Sequence, residues 1–506
     1  MPRSRVRAPE LRSELTAPSQ DDDYKRLIVF CDGTWLNASG NIKMGGAPPS
    51  NVTRLMRAVL PQTDDGTKQI VYYNRGVGAT GGLVDKIYGG LTGEGLAENV
   101  RESYSFISSN YRTGDEIFLF GFSRGAFTAR AVADLIGHIG ILTRKGEQYL
   151  SEIYADVRHR HDEHYVPAQP NKPFRNKPSA KDPRYRAELR HRGLTTLGVM
   201  IRVVGVWDTV GALGTPRIGW LERIGLQSSV SKRMQFYDTK LSPAIEHAFH
   251  ALALDERRAA FSPALWELSP SNTTTRLRQV WFPGVHANIG GGYPDQQLAN
   301  ITLAWMMSQL RDLLELDQDY VLDEQDATDT YYERVANTRP RPWSFGEIYN
   351  SLKGIWAIGG TSARTPGLYK AVRPGSGIPT DVPLRHTNEY IHASVRTRLR
   401  LGGPGMADKG TYNPPAMAAW RLRIEPDDED DRPDVYWEIR DRERESEIDS
   451  SVLPEAPLRP LEREVLGIAA DQRVEEYVLN PPLGNGGAGT GGKKGRPGRR
   501  GSRLRK

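Results

Sequence analysis

The chain has 506 residues, 38% hydrophobic and 26% charged, which is too long for one minimal domain and apolar enough for a sizeable core with additions. Its formal charge is +6, but Lys493 to Lys506 alone carries eight Lys and Arg and no acid. Subtracting those eight leaves −2 for the rest, so the body is not that of a basic nucleic-acid binder, and any nucleic-acid contact is expected only through the tail.

The single cysteine, Cys31, excludes an internal disulfide and suits a reducing compartment. No stretch approaches 18 uncharged apolar residues, so neither a signal peptide nor a membrane span is expected; the expected location is cytoplasmic, with nuclear import the alternative that the basic tail offers. Residues 1–24 read as a disordered leader. Arg26 to Cys31 (RLIVFC) then reads as a buried strand running into Asp32-Gly33-Thr34-Trp35. Asp32-Gly33-Thr34 is similar to the nucleophile loop of haloacid-dehalogenase-like phosphatases, but Phe30 stands where their nucleophilic aspartate would be. Asn51 offers an N-cap to a helix with Val52, Leu55, Met56 and Val59 on one face, and Gln69 to Tyr73 supplies a second strand. The glycine-rich segment that follows lacks the G-K-[ST] ending of a phosphate loop. A helix from about Leu96 to Asn110 leads on to the next strand.

Ile117 to Phe120 is an unbroken apolar run, as a parallel strand covered on both faces would be. Beyond it, Ala129, Val132, Ala133 and Ile136 fall at helical spacing. Between strand and helix lies Gly121-Phe122-Ser123-Arg124-Gly125. In a chain of this composition chance supplies about 0.3 matches to G-x-S-x-G, so the flanking strand and helix carry the discrimination. They make the pentapeptide a nucleophile elbow, with Gly121 and Gly125 required where Cβ atoms would collide and Ser123 lifted clear of the sheet.

Thr143 to Gly198 turns polar and proline-rich and reads as an insertion over the site. His159, His161, His164 and Asp162 lack metal-site spacing and read as a solvated face. Val199 to Trp207 is the next strand and delivers Asp208 to its carboxyl end, where catalytic groups collect in parallel sheets. Leu241 to Leu254 reads as a helix carrying His247 and His250 and ending near Asp255. Arg276 to Phe282 is the last clear strand and is followed by Pro283-Gly284-Val285-His286. The order Ser123, Asp208, His286 is that of the α/β-hydrolases. The expected fold is therefore α/β-hydrolase-like, a mostly parallel sheet with helices on both faces, a polar insertion and C-terminal additions.

The blocks IVFCDGTW, GLAENVRESYSFISSNY, GDEIFLFGFSRGAFTAR, VVGVWDTVGALG, HALALDERR and VWFPGVHANIGGGY resemble, in order, an α/β-hydrolase family that includes the type VI secretion phospholipase effectors (Tle1-like). The resemblance runs from about Lys25 to Trp305, with a weaker echo at Thr387 to Leu399. It departs at His286-Ala287-Asn288, where the family usually has His-Ser-Asp. It implies a serine hydrolase of carboxylic esters, lipids among them; no cofactor or metal is expected, and transient contact with a membrane surface is the alternative to core packing that the apolar stripe from Trp343 to Trp356 offers. In that reading Ser123 attacks, His286 is the base and Asp208 orients it. The backbone N–H of Arg124, and one from Gly33 or Thr34, would face the oxyanion. Asp255 and His250 are the reserve acid and base.

The expected organisation is a catalytic domain over residues 25–321 with its insertion at 143–198, an extension over 322–480 packing on it, and a disordered basic tail over 481–506. Phe345 to Trp356 has helical spacing and, with Trp343, reads chiefly as core packing. A short strand is expected at Val435 to Ile439. The alternative to an enzyme is a non-catalytic interaction module that keeps the hydrolase fold. The oligomeric state cannot be read from the chain.

Overall fold

A computed structural model describes residues 24–33, 48–75, 93–210, 240–352, 360–372, 379–426, 433–441 and 448–485. The expected leader up to residue 23, Thr34, Trp356 and the tail beyond residue 485 lie outside the described residues.

The core is an eleven-stranded sheet. In chain order its strands are β1 (Lys25–Cys31), β2 (Lys68–Asn74), β3 (Glu116–Phe122), β4 (Ile201–Trp207), β5 (Ile245–Ala253), β6 (Arg276–Phe282), β7 (Glu389–His392), β8 (Trp420–Glu425), β9 (Asp434–Ile439), β10 (Val452–Ala456) and β11 (Gly484–Asn485). Their spatial order is β11-β8-β9-β10-β7-β6-β5-β4-β3-β1-β2. From β2 through β10 every neighbour pairs in parallel, and β9, β8 and β11 finish the sheet antiparallel.

Both faces of the parallel part are covered, so its strands read as apolar runs rather than alternations. On β1, Leu27, Val29 and Cys31 join one layer with helices α2 (Gly93–Asn110) and α3 (Arg124–Ile139), whereas Ile28 and Phe30 join the opposite layer with α1 (Asn51–Ala58) and the helix at Gln297–Leu310. Phe30 stacks on Phe120 of the neighbouring strand at 5.2 Å, a pair worth about 1 kcal/mol beyond its buried area. The cap of α1 is Ser50, one residue before the expected Asn51: its hydroxyl accepts from Thr53 N at 3.2 Å. Asn51 instead reaches from inside the first turn to Ile289 O, Ala299 O and Thr302 Oγ1.

Three expectations are corrected. The helix expected at 241–254 is the strand β5. Its Ala-rich sequence favours a helix in isolation, but pairing with β4 and β6 on both sides decides, and the small side chains let the layers approach. Residues 343–352 form no helix: Trp343 and Ile348 are buried in the core from irregular backbone, and Tyr349 stacks on Tyr293 at 4.0 Å. The insertion after α3 folds into helices at Leu150–Arg158 and Pro183–His191, and it packs away from the elbow. Its bonds reach the far half of α3, where Arg160 meets Asp134 and His138 meets Ala180, and the end of α2, where Ser108 meets Glu147. Its His159 stacks on Tyr165, and among the described residues no group of three or more His, Cys, Asp or Glu is placed to hold a metal.

Strands from both sides of residue 322 belong to the same sheet. β7 lies beside β6, with Ile391 opposite Trp281, and the Trp281 indole N–H donates to Glu389 at 2.8 Å. At the far end Gly484 and Asn485 pair with β8, so the first residues of the expected tail belong to the sheet. No described helix is long and apolar enough to cross a membrane.

A chain truncated after residue 321 would expose the pairing edge of β6 together with Trp281, Leu252 and Leu254, all buried against the later strands. We expect it to aggregate and to show no cooperative melt. A monomeric truncated chain with a sharp thermal transition would contradict the view that the sheet is one folding unit.

Candidate active site

Register places the elements of the site. Phe122 at the end of β3 is the partner of Trp207 at the end of β4, so the next residues, Ser123 and Asp208, leave the sheet side by side. Both have left-handed backbones, with φ of 59° and 38°, a conformation that costs on the order of 1–3 kcal/mol per residue and collects at functional sites. The Ser123 N–H donates to Trp207 O at 3.1 Å. The elbow has no room beside the serine: a Cβ on Gly121 would sit 2.4 Å from Gly125 O, and one on Gly125 would sit 2.1 Å from Cys31 O and 2.4 Å from Asp32 O.

The imidazole comes from the next strand but one. β6 ends at Phe282, and Pro283–Val285 carries the chain over the sheet edge into a single helical turn at His286–Gly290. Three backbone donors fix this loop. Gly284 N–H donates to Asp255 Oδ2 at 2.6 Å, Val285 N–H to Asn288 Oδ1 at 3.1 Å, and His286 N–H to Glu256 Oε2 at 3.2 Å. Asn288, at the position of the family's aspartate, also donates to Glu347 O at 2.9 Å, which a carboxylate could not do.

The three side chains form one chain of hydrogen bonds. Ser123 Oγ lies 2.8 Å from His286 Nε2, and His286 Nδ1 lies 2.6 Å from Asp208 Oδ2. With Nδ1–H donating to the carboxylate, Nε2 is left to accept the serine proton. Asp208 is fully buried, Ser123 7% and His286 5% exposed. Burial pushes the Asp208 carboxyl up, but the Arg364 charge and then the His286 bond outweigh it and hold it well below the ordinary range. Burial lowers the His286 pKa more than the Asp208 bond raises it. The ring is walled by Phe122 at 4.6 Å and by Phe261 edge-on at 4.9 Å.

Of the oxyanion candidates, Arg124 N–H opens α3 and has no acceptor within the helix. The Gly33 N–H is engaged by the Asp32 carboxylate at 2.7 Å, itself held by Tyr73 and Thr53 at 2.6 and 2.9 Å. Gly33 is thus committed elsewhere in this state, and Thr34 lies outside the described residues.

Neither reserve residue joins the chain, and neither is on a helix. His250 lies within β5, its Nε2 accepting from Thr209 N–H at 3.1 Å and its Nδ1 bonded to Gln279 Oε1 at 3.2 Å. Burial pushes its pKa down to about 3, so it is a neutral support beneath the Asp208 turn. Asp255 follows β5 and bonds Gly284 N and Tyr412 OH rather than His286. Sequence reasoning missed Glu256, Phe261 and Arg364. Glu256 stands in the quoted block HALALDERR, but Arg364 sits in a stretch without periodicity or motif.

Comparison with known proteins places the chain. The family described as the catalytic domain of Tle1-like phospholipase effectors of type VI secretion matches residues 25–309. Among curated proteins, an uncharacterised protein of Saccharomyces cerevisiae, YEL023C, is 28% identical over 262 residues, 48% of this chain and 33% of that protein. The chain therefore spans about a third of the curated relative it matches. Among solved structures, a Tle1 effector bound to the VgrG spike of the type 6 secretion system is 20% identical, covering 53% of this chain and 51% of that one, with a TM-score of 0.29. An uncharacterised protein from Pseudomonas aeruginosa is 18% identical over 57% and 45%, with a TM-score of 0.30. Superpositions that shallow do not bear on the site.

Burial pushes the Asp255 carboxyl up to about 6 from an ordinary 3.8. Between those values the folded state binds more protons than the unfolded one, so this group's contribution falls as pH rises through the window and is level above it. Asp255→Asn, which mimics the protonated acid, should gain stability relative to the parent between about pH 4 and 7, by at most about 3 kcal/mol. Denaturant titrations at both pH values check this, and a pH-independent difference would contradict it.

Proposed function

The chain belongs to the family of Tle1-like phospholipase effectors of type VI secretion through its catalytic domain, and on that premise we propose that it is a serine hydrolase of carboxylic esters, lipase- or phospholipase-like, working through an acyl-enzyme. The observation that carries the reading is the unbroken Ser123–His286–Asp208 hydrogen-bond chain at the carboxyl ends of parallel strands. The secretion role and the spike partner belong to the proteins described in those terms and are not assigned to this one. An ester-bearing lipid is the proposed substrate, met at a membrane surface.

In the proposed mechanism, Ser123 Oγ adds to the ester carbonyl while its proton passes to His286 Nε2. Asp208 keeps Nδ1–H bound and stabilises the imidazolium. The oxyanion is met by Arg124 N–H and by a donor of the loop after β1, from Gly33 once it leaves Asp32 or from Thr34. Collapse expels the alcohol, which takes the proton from Nε2 and leaves the acyl group on Ser123. Water then enters, gives its proton to His286 and releases the carboxylic acid, and the proton returns to Ser123. No step calls for a metal.

Hydrolysis of p-nitrophenyl esters and of phospholipids by the full chain tests this. Ser123→Ala and His286→Ala should each lower kcat by about 10⁶, and Asp208→Asn by about 10⁴, whereas His250→Gln should leave kcat within about tenfold. Full activity in Ser123→Ala would eliminate the reading. The base must be neutral to act, and its pKa lies below 6.5 in the folded state, so the acid limb of kcat/KM should fall below pH 6.5. A limb above 7 would point to a different base.

A further inference from the structure

The guanidinium of Arg364, 3% exposed, lies against the carboxylate of Asp208 as a two-pronged fork. Nη1 donates to Oδ1 and Nη2 to Oδ2, each at 3.1 Å. Asp208 Oδ1 also accepts from Ala253 N–H at 3.0 Å, and Oδ2 from His286 Nδ1 at 2.6 Å. Four donors thus fill the four lone-pair directions of one carboxylate, and rotating it would break the fork and the imidazole bond together. Arg364 Nη2 reaches further, to Phe261 O at 2.7 Å, on the residue whose ring walls His286.

The segment carrying Arg364 is itself stitched to the site. Ala259 N–H donates to Gly360 O at 3.2 Å and Ser362 N–H to Arg257 O at 2.9 Å, with Arg258 bridged to Thr361. This ladder fixes the short segment from Glu256 to Phe261, which holds the His286 backbone at one end and walls its ring at the other. A buried ion pair is a poor source of net stability compared with apolar packing, so a buried arginine spent on this one carboxylate is better explained by geometry and charge. Residues 360–364 lie beyond the span 25–309 that matches the family, so the site as built is not contained in that span.

We propose that Arg364 is the positioning residue of the catalytic acid: its fork sets the plane of the Asp208 carboxylate, hence the tilt of His286 toward Ser123, and makes the C-terminal region a working part of the active site. This rests on the serine-hydrolase reading above. The other charged groups around the pair are Glu256 and Arg258 beside His286, His250 with Arg130 behind Asp208, and Tyr369 beside Arg364. None of them offers Asp208 a second guanidinium fork. Without the Arg364 charge, the Asp208 carboxylate would draw a proton onto His286 more strongly. A lysine would keep the charge but not the fork.

The test is the rate at which a fluorophosphonate probe labels Ser123, followed from about pH 5 to 8 in the full-length chain, its Arg364→Met, Arg364→Lys and Ser123→Ala variants, each checked by thermal melting. Arg364→Met should be labelled about 10–100-fold more slowly at the alkaline plateau, with its acid limb moved up by about one pH unit. Arg364→Lys should return the limb to its parental position but not the rate. A limb unmoved in Arg364→Met would reduce Arg364 to a structural prop and overturn the proposal. If Arg364→Met does not melt cooperatively, Arg364→Lys decides: slow labelling with the parental limb supports the proposal, and the parental rate overturns it. A parent chain that the probe does not label would fail earlier and differently, taking the hydrolase reading with it.

Discussion

A carboxylate taken wholly out of water costs several kcal/mol unless each of its oxygens is met. Asp208 is such a group, and the described protein is arranged around meeting it. One N–H comes from β5 at Ala253, one imidazole from the turn after β6, and a guanidinium from residue 364. Because one oxygen is shared between His286 and Arg364, the acid is held in a single orientation. The same contacts pull three distant stretches of sequence onto the strand end where Ser123 emerges. Removing any one of them would leave a buried charge partly unpaired, so stability and site geometry are coupled here.

What was legible in the sequence follows from the same physics. The strand ends are legible because strands covered on both faces must be continuous apolar runs, and the residue after such a run stands at the sheet edge. Asp208 is found by that rule directly, whereas Ser123 also needs the G-x-S-x-G pattern at its strand end and His286 stands four residues beyond Phe282. Gly121 and Gly125 are legible because only a missing Cβ fits within 2.4 Å of a backbone oxygen. The rule fails at β5, where alanines mark close packing between layers and the segment reads as a helix, which misplaces His250 and Asp255 with it. It fails wholly at Arg364, whose partner lies 156 positions away. A lone arginine in an irregular stretch has no local signal, since what fixes it is a long-range loop contact.

The same difference separates the two halves of the chain. Up to β6 the strands are long and pair in parallel, and the order of blocks resembles a known family. Beyond residue 322 the strands are short and enter the sheet out of sequence, β10 beside β7 and β8 and β9 outside it, so no repeated unit announces them. Yet Trp281, Trp420 and Trp437 are buried in one apolar cluster spanning both halves. In the proposed reading, the later strands close the edge of β6 while residues 360–364 reach back over the site, and the extension serves both the core and the chemistry.

The central claim is that the Asp208–His286–Ser123 chain makes Ser123 a nucleophile that becomes acylated. Mixing the full-length protein with a slowly hydrolysed p-nitrophenyl ester, quenching in acid and mapping its peptides by mass tests that claim most directly. The account predicts a mass increase equal to one acyl group on the peptide holding Ser123, transient with the parent and absent with His286→Ala. Turnover of the ester with no acyl group on that peptide at any time, or with the acyl group on another residue, would contradict it.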